Sequence, residues 1–195
     1  MRLTDEQRQY RDSIARVLDD RLPFDARQQA AKSEHGYSRE LWRTAAGLGW
    51  LGAGLPEEAG GLGGGAVETA LLFAELGRRL ATGPYLATLG LAAPALVATG
   101  GPLAHALLGD VATGRIILSF AHAESAARHQ PAFVETRAEK RGGGWRLTGT
   151  KCLVPFADAS EHILVSARTS GAAGDTDGLS LFALPLQTKG LSIRA

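Results

Sequence analysis

The strongest constraint on this chain is a change of hydrophobic period at Gly114: upstream the apolar residues recur every three or four positions, downstream they come in short separated runs. Thr4 and Gln7 frame a capping box, and Tyr10, Ile14, Val17 and Leu18 share one face, which predicts a helix from Thr4 to Arg21 that Pro23 ends. Asp25 to Lys32 predicts a second, short helix. Ser38 caps a third, whose apolar face is Leu41, Trp42, Ala45 and Leu48. The segment LGAGLPEEAGGLGGG then breaks the pattern as a loop of about a dozen residues. From Ala66 the sequence is helical again, with Val67, Leu71, Leu72, Phe73 and Leu76 nearly all round and Glu75 placed to pair with Arg79. This reads as a buried helix. Tyr85 to Thr99 and Pro102 to Thr113 give two more, the second with proline at its start and Gly114 just past its end.

Beyond Gly114, the runs Arg115 to Ala121, Ala132 to Lys140, Trp145 to Val154, His162 to Arg168 and Gly178 to Leu184 are rich in Ile, Leu, Val, Phe and Thr, and turn residues separate them. They read as consecutive strands, with RGGG as a hairpin loop between the second and third. Helices followed by strands define an α+β chain: an N-terminal all-helical domain at 1–113, then an antiparallel β-barrel-like domain at 114–195. The last residues, LSIRA, are still strand-like, so the β domain is expected to be truncated.

Composition narrows the partners. Twenty-one basic against twenty acidic residues leave a net charge of +1, which supplies no field to hold nucleic acid. The single Cys152 excludes a disulfide framework and a thiolate metal site, and fits a reducing, cytoplasmic location. The N-terminus MRLTDEQRQY lacks the apolar core of a secretory signal, and Tyr85 to Val97, interrupted by Pro94, is too short for a membrane span.

Few motifs carry chemistry. Gly61-Leu62-Gly63-Gly64-Gly65-Ala66 formally matches a dinucleotide fingerprint, but that fingerprint needs a buried strand before it and a parallel sheet around it. In a helical half it reads as a glycine-rich turn. His35, His105, His122, His129 and His162 lack ligand spacing, so no metal is expected, and His105 reads as a helix-surface residue. There is no G-x-S-x-G elbow and no Walker lysine loop. Cys152, although it follows Lys151, reads as a small buried strand hydrophobe. The segment FAHAESAARHQP, Phe120 to Pro131, stands out because a strand ends there in a polar loop with Glu124, Ser125, Arg128 and His129.

Taken in order, LTDEQRQYRDSIARVL, SRELWRTAAGLGWLGAGLPEEAGGLG, AVETALLFAELGRRLATGPYLAT, FAHAESAARH and GWRLTGTKCLVPFADASEHILVSART resemble the acyl-CoA dehydrogenase family along the whole chain. GGGAVETALLFAELGRRL followed by TGPYLAT is most similar to the small subunits of bacterial two-subunit members, such as those for pimeloyl-CoA or steroid side chains. The resemblance implies the first two of three domains, a C-terminal four-helix domain being absent. It implies FAD as cofactor and oxidation of an acyl-CoA to the trans-2-enoyl-CoA, a carboxylate taking the α proton while the β hydrogen leaves as hydride to the flavin. It implies a flavoprotein electron acceptor and a homo- or hetero-oligomer with a paralogous subunit. The catalytic carboxylate is expected beyond Ala195, so the 195-residue chain alone is expected to be inactive.

By the same resemblance two segments carry flavin contacts, Phe120-Ala121-His122-Ala123 with Glu124, and Leu153-Val154-Pro155. The sequence departs from the family at the polar positions. Ala123 stands where Thr is usual, Leu153 where Trp is, Pro155 where a second Thr is, and Arg128-His129 where Gly-Ser is. Ala and Pro donate no side-chain hydrogen bond, whereas Arg128 offers a phosphate a two-pronged charged fork. Two readings stay open: a FAD-dependent dehydrogenase subunit, or a structural subunit with a degenerate flavin site.

Overall fold

The computed structural model describes residues 2–194, which divide into two compact units between Ile117 and Leu118. In the first, α1 (Asp5–Arg21) starts from the reciprocal cap of Thr4 and Gln7, each side chain taking the other's backbone N–H at 3.1 Å, and buries Ile14 and Leu18. Helix α2 (Phe24–Ala31) follows Pro23, and α3 (Arg39–Gly47) starts where Ser38 Oγ accepts the Leu41 N–H. Leu41, Trp42 and Ala45 are buried as the pattern predicts, whereas Leu48, at the C-cap of α3, is exposed because the chain turns away there.

Helix α4 (Ala66–Arg78) corrects the expectation of a helix buried all round: only Leu72, Glu75 and Leu76 are buried, while Val67, Leu71 and Phe73 are half-exposed. Glu75 sits on the inner face because Arg79 reaches it at 2.6 Å and holds Asp19 of α1 with its other nitrogens. The segment predicted as one helix from Tyr85 is a π-helix at Leu86–Ala92 that runs into α5 (Ala93–Thr99). Pro94 cannot donate to the carbonyl four residues back, and the wider turn before it accommodates that loss. Helix α6 (Pro102–Ala112) ends before Gly114, which is left-handed at φ +69°, and His105 is exposed on it.

The glycine-rich segment after α3 is not an open loop. Trp50, Leu51, Ala53, Leu55 and Ala59 are buried in it. A Cβ on Gly61 would fall 2.2 Å from Leu55 O, and one on Gly64 2.2 Å from Ala53 O, so glycine is required for backbone to pack on backbone. Among the described residues no strand precedes these glycines, as the dinucleotide fingerprint would need.

The second unit is a five-stranded sheet of β1 (Leu118–Ala121), β2 (Arg137–Arg141), β3 (Gly144–Thr148), β4 (His162–Arg168) and β5 (Leu179–Pro185). Its pairing is mixed rather than wholly antiparallel. β2–β3 and β4–β5 are antiparallel, but β1 runs parallel to β4, and β2 meets β4 in parallel at Arg137 and Arg168. The β2–β3 hairpin lies between β1 and β4 in sequence and acts as a crossover, which returns the chain in its original direction. Gly142 and Gly143, both at positive φ, form the tight hairpin turn read from RGGG. The strands are shorter than their apolar runs: the third ends at Thr148, so Cys152 is a half-buried residue of the segment after it, not a strand residue.

Candidate functional site at the strand exits

Strand alternation places Ala121 with Ile163 and Val165 on one face of the sheet, and Leu118 and Phe120 with Leu164 and Ser166 on the other. His122, one residue past β1, continues the second face and meets Ser166, Nδ1 to Oγ at 2.9 Å. Its Nε2 lies 2.9 Å from Pro131 O, so Nε2 carries the hydrogen and Nδ1 accepts from Ser166. Phe120 stacks on the His122 ring, with centroids 5.5 Å apart.

Two segments that leave the sheet run side by side, the one after β1 and the one after β3. Cys152 N–H donates to Ala123 O at 2.9 Å. Lys151 Nζ, its side chain buried, donates to Glu124 Oε1 at 2.7 Å, Ser166 Oγ at 3.0 Å and His122 O at 3.1 Å. The Glu124 carboxylate also accepts the Thr136 hydroxyl at 2.6 Å and the N–H groups of Glu135 and Thr136 at 2.6 and 3.0 Å. Burial alone would raise the Glu124 carboxyl; the hydrogen bonds from Lys151, Thr136 and the two amides outweigh it and hold it at about 2. Burial lowers Lys151, and Glu124 opposes that shift.

Glu124 thus pins both ends of the loop between β1 and β2. Arg168, almost fully buried at the end of β4, pins its return: the guanidinium donates to Ala132 O at 2.8 Å and Val134 O at 3.2 Å, and to the carbonyls of Ala173, Asp175 and Asp177. Between these anchors the tip is exposed, and Arg128 and His129 stand there as consecutive left-handed residues at φ +45° and +69°. Arg168 escaped the sequence reading, which took it as the last strand residue. Lys151 was visible only as the neighbour of Cys152, because its partner lies 27 residues away and the β2–β3 hairpin separates them.

The structure brings the residues at 121–123 beside those at 152–154, and leaves Arg128 and His129 at the loop tip. Ala121 is buried, Phe120, His122, Val154 and Pro155 are half-buried, and Ala123 is exposed. Pro155 turns its carbonyl inward to accept from Ser119 Oγ at 2.8 Å. Leu153 is left-handed at φ +52° with its side chain 89% exposed, beside a cavity of about 960 Å³ that Ala121, Cys152 and Val154 also line. On this surface Leu153 and Val154 offer apolar contact and the two exit segments offer backbone groups, while Ala123 and Pro155 add no side-chain donor. Among the described residues no group of His, Cys, Asp or Glu is placed to hold a metal ion, and no helix is long and apolar enough to cross a membrane.

Residues 4–115 match the acyl-CoA dehydrogenase N-terminal domain and residues 119–195 the middle domain of the same family. The chain belongs to the acyl-CoA dehydrogenases. Acyl-CoA dehydrogenase FadE27 of Mycobacterium tuberculosis is 37% identical over 144 residues, 73% of this chain and 37% of the relative. The ChsE4-ChsE5 complex from Mycobacterium tuberculosis superposes with a TM-score of 0.85 at 28% identity, over 100% of this chain and 50% of that one. The FAD complex of PigA gives 0.82 at 26% identity, over 97% and 50%. The chain therefore spans half or less of the length of these relatives.

Proposed function

We propose that this chain forms the helical and β portions of a FAD-dependent acyl-CoA dehydrogenase subunit that works beside a paralogous subunit. The observation that carries this reading is the junction of the β1 and β3 exits, where two carbonyl-linked segments hold the exposed, left-handed Leu153 against an open cavity. A non-glycine residue in that conformation costs on the order of 1 kcal/mol, and such outliers persist where the surroundings over-determine them. The PigA complex, with FAD bound on a similar fold, supports the cofactor, and the ChsE4-ChsE5 complex supports a two-chain assembly. When bound, FAD would accept the hydride that leaves an acyl-CoA thioester and pass its electrons on to an acceptor flavoprotein.

Ala121 to Ala123 and Leu153 to Pro155 would hold the ring: Leu153 and Val154 by contact, the β1 exit by backbone groups. Arg128 and His129 would meet phosphate, either the FAD pyrophosphate or CoA, since the anchored loop presents both side chains to solvent. The lack of a hydroxyl at 123 and 155 favours the second reading, a structural subunit with a degenerate flavin site. A flavin absorbance band in the protein purified with a paralogous subunit supports the first reading; a colourless chain in an active complex supports the second. Replacing Arg128 with Ala should weaken FAD or acyl-CoA binding by about 1.5–3 kcal/mol, and unchanged affinity for both would leave it a surface arginine.

A further inference from the structure

Arg168 solves the problem of a buried charge in an unusual way. Strand alternation puts it on the face of β4 that carries Leu164 and Ser166, and the residue is 1% exposed. Its side-chain hydrogen-bond partners among the described residues are five main-chain carbonyls. Nε donates to Val134 O at 3.2 Å, Nη1 to Asp177 O at 2.7 Å, and Nη2 to the carbonyls of Ala132, Ala173 and Asp175 at 2.8, 2.9 and 2.8 Å. A guanidinium carries five N–H donors in one plane, so the carbonyls match the fork in number. Two of them come from the return of the β1–β2 loop and three from the loop between β4 and β5. A single carboxylate could balance the charge from one place; five carbonyls draw on two loops, so the charge fastens one loop to the other. Backbone bonds run alongside, Val134 N–H to Ala173 O and Arg168 N–H to Thr136 O, both at 2.8 Å.

We propose that Arg168 is a positioning residue: the two loops form a cage of carbonyl oxygens for one planar cation, and by filling it the guanidinium sets the exposed Arg128–His129 tip in one conformation for an anionic ligand. This rests on the phosphate reading of that tip given above. The path from the cage to the tip is short. His122 Nε2 holds Pro131 O at 2.9 Å, Arg168 holds the next carbonyl, that of Ala132, and then that of Val134, and Glu124 takes the N–H groups of Glu135 and Thr136. The return of the loop is thereby fixed nearly residue by residue, and Phe133 N–H reaches back to Gln130 O at 3.1 Å. The tip itself is closed by turns, Ala127 N–H to Glu124 O at 3.0 Å and Gln130 N–H to Ala127 O at 2.9 Å, so it follows wherever the return segment is placed. Arg168 acts on the tip through this backbone and not on the ligand.

The test compares the parent with R168A and R168K, following the Arg128 and His129 backbone amides by NMR during titration with FAD and, separately, with CoA, which share a diphosphate group. In the parent the tip amides should give one set of signals, and the ligand that moves them identifies the source of the phosphate. In R168A those signals should broaden or multiply, and affinity for that ligand should fall about tenfold, the scale of one good hydrogen bond lost from a misplaced site. Millimolar ethylguanidinium, far below denaturing concentration, should restore both the signals and the affinity; ammonium at the same concentration should restore neither, because it lacks the planar fork. R168K, with its charge kept but only three donors, decides the matter if R168A does not fold, and should also show a disturbed tip and weaker binding. Parent-like tip signals and affinity in either folded variant overturn the proposal. So does a loss in R168A that ethylguanidinium leaves unchanged or that ammonium repairs equally well. If neither ligand moves the parent's tip amides, the phosphate reading fails and the positioning role fails with it; a tip still ordered by ethylguanidinium in R168A keeps that failure apart from a failure of the cage.

Discussion

Two irregular stretches of this chain look alike in sequence, both rich in small residues and both between regular elements, yet they are built on opposite principles. Between α3 and α4 the glycines sit where any side chain would collide with backbone, and the segment is packed around Trp50, Leu51 and Leu55. At the exits of β1 and β3 the left-handed positions are taken by Arg128, His129, Leu153 and Phe156, none of them glycine, and the first three side chains face solvent. Among the described residues of the helical unit the one non-glycine left-handed residue is Leu80, just past the C-terminal end of α4, a common way to close a helix. Glycine demanded by close packing points to structure. Large residues held in a conformation that glycine would adopt freely mark the surface we propose for ligand contact.

The comparison breaks most visibly at the buried pair. Lys151→Met leaves the Glu124 carboxylate buried without its ammonium partner and should destabilise the β unit by about 3–5 kcal/mol in denaturant unfolding, with most of that loss recovered in E124Q/K151M. If the single and double variants unfold alike, the pair is not the anchor of the two exits.

In the helical unit the expected loss comes from packing. Leu72→Ala should cost about 2–5 kcal/mol, because that side chain is almost fully buried on α4. Leu71→Ala, half-exposed beside it, should cost distinctly less. Equal losses would mean that α4 is covered on a second face.

Glu124 also makes stability depend on acid. Its folded-state value near 2 lies below the ordinary 4.5, so between those values the unfolded chain binds the proton that the native state refuses. The stabilisation is complete above about pH 4.5 and is lost as the pH falls toward 2, amounting to about 3 kcal/mol at most. Unfolding free energy measured across that window should slope in the parent and flatten in Glu124→Gln. An unchanged slope in the variant would place the acid sensitivity elsewhere.

What could be read from sequence divides along the same line as the two regions. Caps and periodicity are local, so Thr4 with Gln7 and Ser38 with Leu41 place α1 and α3 correctly. Periodicity alone does not say how much of a helix is covered, which is why Leu71 and Leu48 were expected in the core. Strand positions follow from composition, but β1 beside β4 in parallel is decided by the path of the hairpin between them, which no short pattern records. The flavin segments were named by resemblance and remain proposals. The anchors around them, Glu124 to Lys151 and Arg168 to five carbonyls, join residues far apart in sequence and become legible only once the sheet is assembled.

The smallest expected effect is the sharpest discriminator between the two kinds of irregular stretch. Leu153 holds a left-handed conformation that disfavours any residue with a Cβ by roughly 1–2 kcal/mol, and its exposed side chain recovers little by burial. Glycine there removes the strain but gives the unfolded chain more freedom, worth about 0.4–1 kcal/mol in the other direction. Leu153→Gly should therefore leave the β unit as stable as the parent or more stable by up to about 1 kcal/mol, read as an unchanged or raised unfolding midpoint. If Leu153 is kept for contact with a flavin ring, the same variant should bind FAD more weakly although it folds at least as well. A variant that loses stability would show that Leu153 packs against something in solution, and one that keeps full FAD affinity would remove it from the proposed site. The analogous change in the helical unit runs the other way: Gly61→Ala drives a methyl into Leu55 O and should destabilise without any effect on ligand.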